Sequence, residues 1–582
     1  MKKVILLIML AGICFIGCKP ETKTKLIPLV DNIRINQLGF YPTSIKQFIL
    51  VDTLASTFEI KNEEGKVVFK DTLKDHGTWE SSGESVMMGD FSTLHEQGNY
   101  TVIVDEKMSS HPFEITEGLY EEAWNAAIKS YYFQRASMAI EEPFGGIYNR
   151  AAGHLDNNCK FHPSSGGRTT GVLVSSKGWY DAGDYGKYIV NAALSVGQML
   201  HFIEQYPMAI KDGTLNIPES YNGISDLLDE LKYELDWIVT MQDKDGGAYH
   251  KLTSKDFSDF IMPEAYDLDR YIIGKGTAAS LNFAAVLAQA SRLYLDFDPQ
   301  WSENALSQAE SAWLWALTNN NVAFVNPEDV STGEYGDDQF SDDFYWAAAE
   351  LYIATRKTEY LTYLMANQEP MIHQLTNSWK FFVRNNGFHS LLENRGMLDK
   401  TFSDSLVKGQ LKLAEELLTK INTNPYRIGL DRFEWGSNSD ILNQAMILCI
   451  AHRLTMDEKF LHGAEQITDY IFGKNATGYS FLTGFGAKQV MFPHHRPSGA
   501  DGIYAPVPGF IIGGPNNDKQ DIHELTYTSE TPAKSYMDVQ ASFASNEVCI
   551  NWNAPAVFVL GYLEQVRNNG MDNPLIRNLR KM

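Results

Sequence analysis

Gly178-Trp179-Tyr180-Asp181-Ala182-Gly183-Asp184-Tyr185-Gly186-Lys187-Tyr188 runs straight into an amphipathic helical pattern, Ile189 to Tyr206. Two carboxylates stand three residues apart, with small residues between them and aromatics on both sides. Gly and Asp have low helix propensity, so the acids predict a loop at the mouth of a helix rather than a turn within it. Two readings are open at this point. Asp184 could cap the following helix by accepting from its free N–H groups, or the pair could serve chemistry. The choice depends on whether the rest of the chain supplies partners.

The loop-then-helix arrangement recurs. Apolar residues fall at three- and four-residue intervals over 120–140, 187–206, 224–242, 276–296, 302–318, 340–356, 404–421, 438–454, 457–472 and 553–567, as helices packed by one face require. About a dozen helices with long Gly- and aromatic-rich loops predict an all-α ring of helical hairpins, an α/α toroid. An α-solenoid would show a clearer sequence period. The long loops fall at 141–186, 243–275 and 473–552, and structureless stretches of that length in a compact domain usually carry function. Ahead of the helices, Leu29 to Thr116 contains short runs such as Gln47-Phe48-Ile49-Leu50-Val51 and Tyr100-Thr101-Val102-Ile103-Val104, separated by turn chemistry. These predict a small β-sandwich. No Pro- or Gly-rich spacer separates the two parts, so the sandwich is expected to buttress the ring.

The 582 residues carry 49 basic and 73 acidic side chains, a formal charge of −24. That field disfavours nucleic acid and tolerates neutral substrates. Lys2 and Lys3 precede an apolar run, Val4 to Ile16, too short to span a bilayer. The run ends at Phe15-Ile16-Gly17-Cys18, which resembles a bacterial lipoprotein processing site with Cys18 as the lipidated residue. An ordinary secretory signal is the alternative; the polar stretch Lys19 to Lys25 favours a tether. The expected order is a signal over 1–18, a tether over 19–29, a sandwich over 30–116 and a helical domain over 117–582. The expected location is the outer membrane, as a monomer. Cys159, Cys449 and Cys549 are too few and too scattered for a disulfide framework.

Two stretches in the last long loop supply partners for the acids. Ser480 to Lys488, then Pro493-His494-His495-Arg496-Pro497, form a rigid array of hydrogen-bond donors suited to sugar hydroxyls or a carboxylate. Tyr536 to Pro555 sets Glu547 among apolar and aromatic residues, where desolvation raises a carboxyl pKa as a general acid needs. An ordinary salt-bridged Glu is the bland alternative.

These stretches resemble the signatures of glycoside hydrolase family 9, the inverting cellulases and related β-glucanases. Asp181-Ala-Gly-Asp184 is similar to the family's base motif. Ser480 to Arg496 matches its histidine signature, and Tyr536 to Ala554 its acid signature except at Cys549, where Ser, Thr or Ala is usual. Arg34-Ile35-Asn36-Gln37-Leu38-Gly39-Phe40-Tyr41-Pro42 resembles the start of the immunoglobulin-like module that precedes many such enzymes. The resemblance covers nearly all of the chain beyond the signal. It implies an immunoglobulin-like β-sandwich followed by an (α/α)6 barrel. Asp184 would be general base, Asp181 its aid in holding water, and Glu547 general acid. His494 and Arg496 would bind substrate hydroxyls, and Asp538 would support them structurally.

Trp179, Tyr180, Trp435 and Trp552 are candidates for stacking on sugar rings. The expected activity is endo-acting hydrolysis of β-1,4-glucosidic bonds, with no redox or nucleotide cofactor. Xyloglucan, mixed-linkage glucan, short cello-oligosaccharides and a glucosamine polymer are rival substrates, and exo action is a rival mode. A glycan-binding surface protein is the non-enzyme rival, and it would be expected to lack Asp184 or Glu547. Relatives often carry structural calcium, for which Asp337, Asp338, Asp342 and Asp343 offer hard oxygen ligands; a solvated acidic loop is the alternative. Some also carry zinc. Here Cys159 and His162 remain, but Phe133-Gln134-Arg135-Ala136-Ser137 lacks the upstream cysteine.

Overall fold

The computed structural model describes residues 27–568, apart from 167, 169, 368–374, 376, 377, 379, 381, 382 and 524. The expected signal, Cys18 and most of the expected tether lie outside the described residues. Ten strands between Ile33 and Ile115 form two sheets. One orders Ile33–Arg34, Gln47–Val51, Glu84–Asp90 and Lys74–Trp79; the other orders Gly39–Phe40, Phe113–Ile115, Gly98–Val104, Thr57–Asn62 and Val67–Thr72, with Met108–Ser109 paired beside Gly98–Val104. The run Gln47-Phe-Ile-Leu-Val51 does not alternate apolar with polar residues, and the structure shows why. Phe48 and Leu50 fill the sandwich core, while Ile49 and Val51 face the other way and join the core of the helical domain. Successive side chains leave a strand on opposite faces, so a strand buried on both sides reads as a continuous apolar run.

The two domains are closely joined. The Trp79 and Tyr426 rings lie 4.5 Å apart. Asn36 donates to Asp469 at 2.9 Å and Gln37 to the Gly478 carbonyl at 2.8 Å. Lys488 N–H returns a bond to the Gln37 side chain at 2.7 Å. Buried amides without partners are costly, so these contacts hold the first motif of the sandwich in register with the loops beyond it.

Twelve longer helices among the described residues alternate in chain order between two kinds. Ile189–Gln205, Thr277–Leu293, Ser341–Thr355, Arg384–Glu393, Ser437–Thr455 and Ile550–Asn568 are buried along nearly their whole length. Between them come Glu121–Gln134, Asp226–Ile238, Pro299–Thr318, Thr358–Ala366, Lys400–Thr423 and Glu458–Ile471. In Lys400–Thr423 the buried residues Phe402, Leu406, Gln410, Leu413, Leu417 and Ile421 make one stripe, and Asp399 caps the helix by accepting from Phe402 N–H. A helix apolar all round belongs inside, and a striped one outside. This is the (α/α)6 barrel.

The helical domain also contains a sheet that periodicity did not predict. Its order is Val172–Leu173, Cys159–Phe161, Tyr271–Lys275, Tyr249–Thr253 and Lys187–Tyr188. It turns two of the expected loops into a platform, and its last strand leads directly into the helix Ile189–Gln205. No helix among the described residues is long and apolar enough to cross a membrane.

Candidate active site

Three segments far apart in sequence interlock through their backbones. Ala182 bridges Cys549, His494 bridges Glu547, and Ile512 bridges Val548. Ile550 N–H donates to Asp181 O at 2.8 Å, Arg496 N–H to Gly183 O at 3.0 Å, and His494 N–H to Asn546 O at 2.8 Å. Gly183 is required by this packing, since a Cβ there would lie 2.0 Å from the His494 carbonyl oxygen. The interlock carries Asp184 and Glu547 into one cavity of about 350 Å³, lined also by Tyr188, Phe257, Glu334, Tyr335, Trp435, Asn551 and Trp552.

Asp184 does not cap the helix. That position is Tyr188, which makes no side-chain cap bond, while Asp184 Oδ2 accepts from Gly186 N–H at 3.0 Å within the loop. Asp181 sits deeper, 1% exposed against 8% for Asp184. Its Oδ1 accepts from Asn191 Nδ2 at 3.0 Å and its Oδ2 from the Tyr335 hydroxyl at 2.6 Å. Burial, reinforced by the Asp184 charge and offset by these donors, pushes the Asp181 carboxyl up to about 7. Burial also pushes Glu547 well above the usual carboxylate range; Asp184 adds to the rise and Arg496 opposes it. The cavity thus pairs Asp184 with a carboxyl biased towards holding its proton.

His494 Nδ1 bonds to the Gln540 carbonyl at 2.8 Å. A carbonyl only accepts, so Nδ1 carries the hydrogen and Nε2 keeps its lone pair. Burial lowers this imidazole to about 4, which keeps it neutral. Arg496 donates to Ser258 O and Gly183 O, each at 3.0 Å, and its guanidinium lies over the Phe257 and Phe260 rings.

Several sequence expectations need correction. Trp179 and Tyr180 cannot stack on sugar, being 1% and 0% exposed. Their segment bonds to residues 134–136, which turns both rings into the core. Trp179 Nε1 there donates to Glu230 at 2.9 Å, and the Tyr180 hydroxyl meets His154 Nδ1 at 2.9 Å. Trp435 is 42% exposed and does line the cavity, beside Phe543. Trp552 lines it too. The Asp538 carboxylate is occupied by Met491 and Phe492 N–H groups, at 2.9 and 2.8 Å; it fastens the loop ahead of His494 and does not face substrate.

The four acids expected to offer calcium ligands are not equally placed. Asp337, Asp342 and Asp343 are buried but Asp338 is exposed, and among the described residues no three His, Cys, Asp or Glu side chains could hold a metal. Asp342 and Asp343 are adjacent on a helix, one accepting from Val383 N–H at 3.1 Å and the other from Asn282; burial raises both carboxyls, and the neighbouring acids, Asp337 among them, raise them further. Cys159 and His162 also have other partners: Cys159 donates to Asp156 O, and His162 meets Ser164 and Asp329.

Tyr335, Asn191 and Glu334 were not singled out from sequence. The acids around Tyr335 drew the reading towards metal, and Asn191 lay inside a helical pattern. The one local signal was Gly333 and Gly336 flanking the pair. Tyr335 takes a φ of 48°, a left-handed conformation that costs a bulky residue about 1–3 kcal/mol and tends to occur at functional sites.

Residues 120–560 match the sequence profile of glycosyl hydrolase family 9. The chain belongs to that family. Residues 30–109 match the cellulase N-terminal ig-like domain. A xyloglucan-specific endo-beta-1,4-glucanase of Bacteroides ovatus is 38% identical over 574 residues, covering 94% of this chain and 96% of that protein. Endoglucanase D of Acetivibrio thermocellus is 32% identical over 554 residues, covering 93% and 85%. Among solved structures, a Bacteroides ovatus family 9 enzyme superposes with a TM-score of 0.86 at 36% identity, covering 92% of this chain and 99% of that one. A thermostable endoglucanase from Alicyclobacillus acidocaldarius gives 0.85 at 29% identity, covering 92% and 100%.

Proposed function

We propose that this family 9 enzyme cleaves internal β-1,4-glucosidic bonds of a soluble plant β-glucan with inversion of configuration. The observation that carries the proposal is one cavity holding two carboxyls in opposed environments: Asp184 beside a loop N–H, and Glu547 held towards its neutral form. In the proposed step Glu547 gives its proton to the departing glycosidic oxygen, while Asp184 takes a proton from the water that attacks the anomeric carbon from the opposite face. Such a water needs carboxyls about 6.5–9.5 Å apart. Asp181, behind Asp184, orients the loop and supports the water. His494 Nε2 accepts from a sugar hydroxyl, the remaining donor capacity of Arg496 serves another, and Trp435 offers its face to a pyranose ring. No redox or nucleotide cofactor enters this chemistry.

Xyloglucan is the favoured glucan within this reading, on the strength of the Bacteroides ovatus relative similar over nearly its whole length. Incubation with xyloglucan, mixed-linkage glucan and carboxymethylcellulose, with sizing of early products, tests both points. Rapid shortening of xyloglucan is expected, and release of a single short sugar would overturn endo action. Proton NMR of the first product should show the α anomer; an initial β anomer would refute inversion.

The amino-terminal pattern adds a second proposal, that Cys18 carries lipid and holds the enzyme, as a monomer, at the outer membrane. Replacing Cys18 with Ser should abolish incorporation of an alkyne-labelled fatty acid and move the protein from the membrane pellet to the soluble fraction. Unchanged labelling would refute it.

A further inference from the structure

Lys251 lies on the strand Tyr249–Thr253 and is fully buried. It stands opposite Tyr188, the residue that ends the Asp184 loop. Among the described residues its ammonium has no carboxylate within salt-bridge distance. It donates instead to Asn326 Oδ1 at 2.7 Å, Gly333 O at 2.8 Å, and both Thr332 O and Thr332 Oγ1 at 3.2 Å. The adjacent His250 bonds through Nε2 to Glu334 O at 2.8 Å. Asn326 Nδ2 also donates to Thr332 O, at 2.7 Å. Two side chains of one strand, with Asn326, therefore grip three consecutive carbonyls, those of residues 332, 333 and 334. The next residue is Tyr335, held at positive φ with its hydroxyl on Asp181.

We infer that Lys251 is a positioning residue for hydrolysis: it clamps the Thr332–Glu334 segment so that Tyr335 donates to Asp181, and it sets a buried positive charge beside Asp184. The inference rests on the reading of Asp184 and Asp181 given above. A lysine whose donors meet carbonyls keeps its charge for the surrounding field rather than spending it on one carboxylate. Asp184 and Glu334 both favour the charged form of Lys251, while burial lowers it to about 7. The other titratable groups facing it are Tyr188, whose ring lies 5.6 Å from Nζ, and His250, which burial holds neutral. A positive charge here, together with the Tyr335 hydroxyl, favours the ionised form of Asp181, which burial pushes up to about 7. Losing either favours its neutral form, which no longer supports the water as a carboxylate does.

The test compares Lys251→Met, Asn326→Ala, Tyr335→Phe and the two double variants that include Tyr335→Phe, on soluble xyloglucan. Lys251→Met should lower kcat about 10- to 100-fold, as misplacement of a reacting group does, with KM within about twofold. The acidic limb of its kcat/KM profile should move up by roughly half a pH unit or more. Asn326→Ala, which leaves no buried charge stranded, should lower kcat roughly three- to tenfold in the same direction; it decides the matter if Lys251→Met does not fold. In the Tyr335→Phe background each further loss should shrink to less than half of its single-variant value on a logarithmic scale, because the clamp acts through that hydroxyl. Fully additive losses, an unmoved acidic limb, or near-normal kcat in a folded variant would overturn the inference. Asp184→Ala separates the two failures. If that variant stays active the proposed base is wrong; if it is inactive while the Lys251 and Asn326 variants behave normally, only the clamp is wrong.

Discussion

Glu547→Gln is expected to lower kcat on unactivated β-glucan by roughly 10²- to 10⁴-fold, the range that general acid catalysis contributes. Each decade corresponds to about 1.4 kcal/mol of barrier. Gln keeps the shape and loses the proton donor, so KM should change little. Two controls tie the loss to proton donation. A cellobioside with a dinitrophenolate leaving group needs no protonation to depart, so its hydrolysis should fall far less than that of glucan. The wild-type profile should also lose activity as pH rises through the Glu547 pKa, because the protonated form is the active one; burial has displaced that pKa upward. The basic limb should vanish in the variant. Equal losses on both substrates would assign the acid to another group.

Asp184→Ala should cause a loss of similar size, again roughly 10²- to 10⁴-fold, with the opposite pH signature. The base works when ionised, so the acidic limb of the wild-type profile should vanish in the variant. Removing the side chain also leaves space next to the attacking face. Azide added to the variant should restore turnover and yield an α-glycosyl azide, since it enters from the side the water used. A β-glycosyl azide, or near-normal activity without azide, would rule out Asp184 as the base. Thermal unfolding of the variant should stay close to wild type, because the carboxylate makes one loop bond, to Gly186 N–H.

The barrel was legible because its helices differ in a way hydropathy records: those that face one side show a stripe, and those buried all round do not. The same property hid Arg384–Glu393. Its run Arg-Asn-Asn-Gly-Phe-His-Ser-Leu-Leu-Glu has little apolar period, yet Asn385, Asn386 and His389 are buried with the rest. The strand Tyr249–Thr253 escaped for a related reason. All five residues are buried, but His250 and Lys251 interrupt the apolar run because their polar ends grip backbone carbonyls. Asp184 and Glu547 were found through long motifs, and the structure brings them to one cavity. Tyr335 was missed because its place depends on a loop geometry that spacing does not encode. Trp179 and Tyr180 were misjudged because adjacency to Asp181 in sequence says nothing about which way a loop turns its side chains.

The strand Gln47–Val51, with one face in each core, bears on how the chain is made. During synthesis the sandwich emerges first, and Ile49, Val51 and Trp79 must wait for surfaces that do not yet exist. Asn36 meets Asp469 only after another 433 residues have been added, and Tyr41 meets Glu564 after 523. A nascent chain in this interval presents an uncovered apolar sheet to its surroundings. The two domains therefore reach their final stability together, late, and a sandwich cut free at residue 116 would be a fragment with a sticky face rather than a removable module.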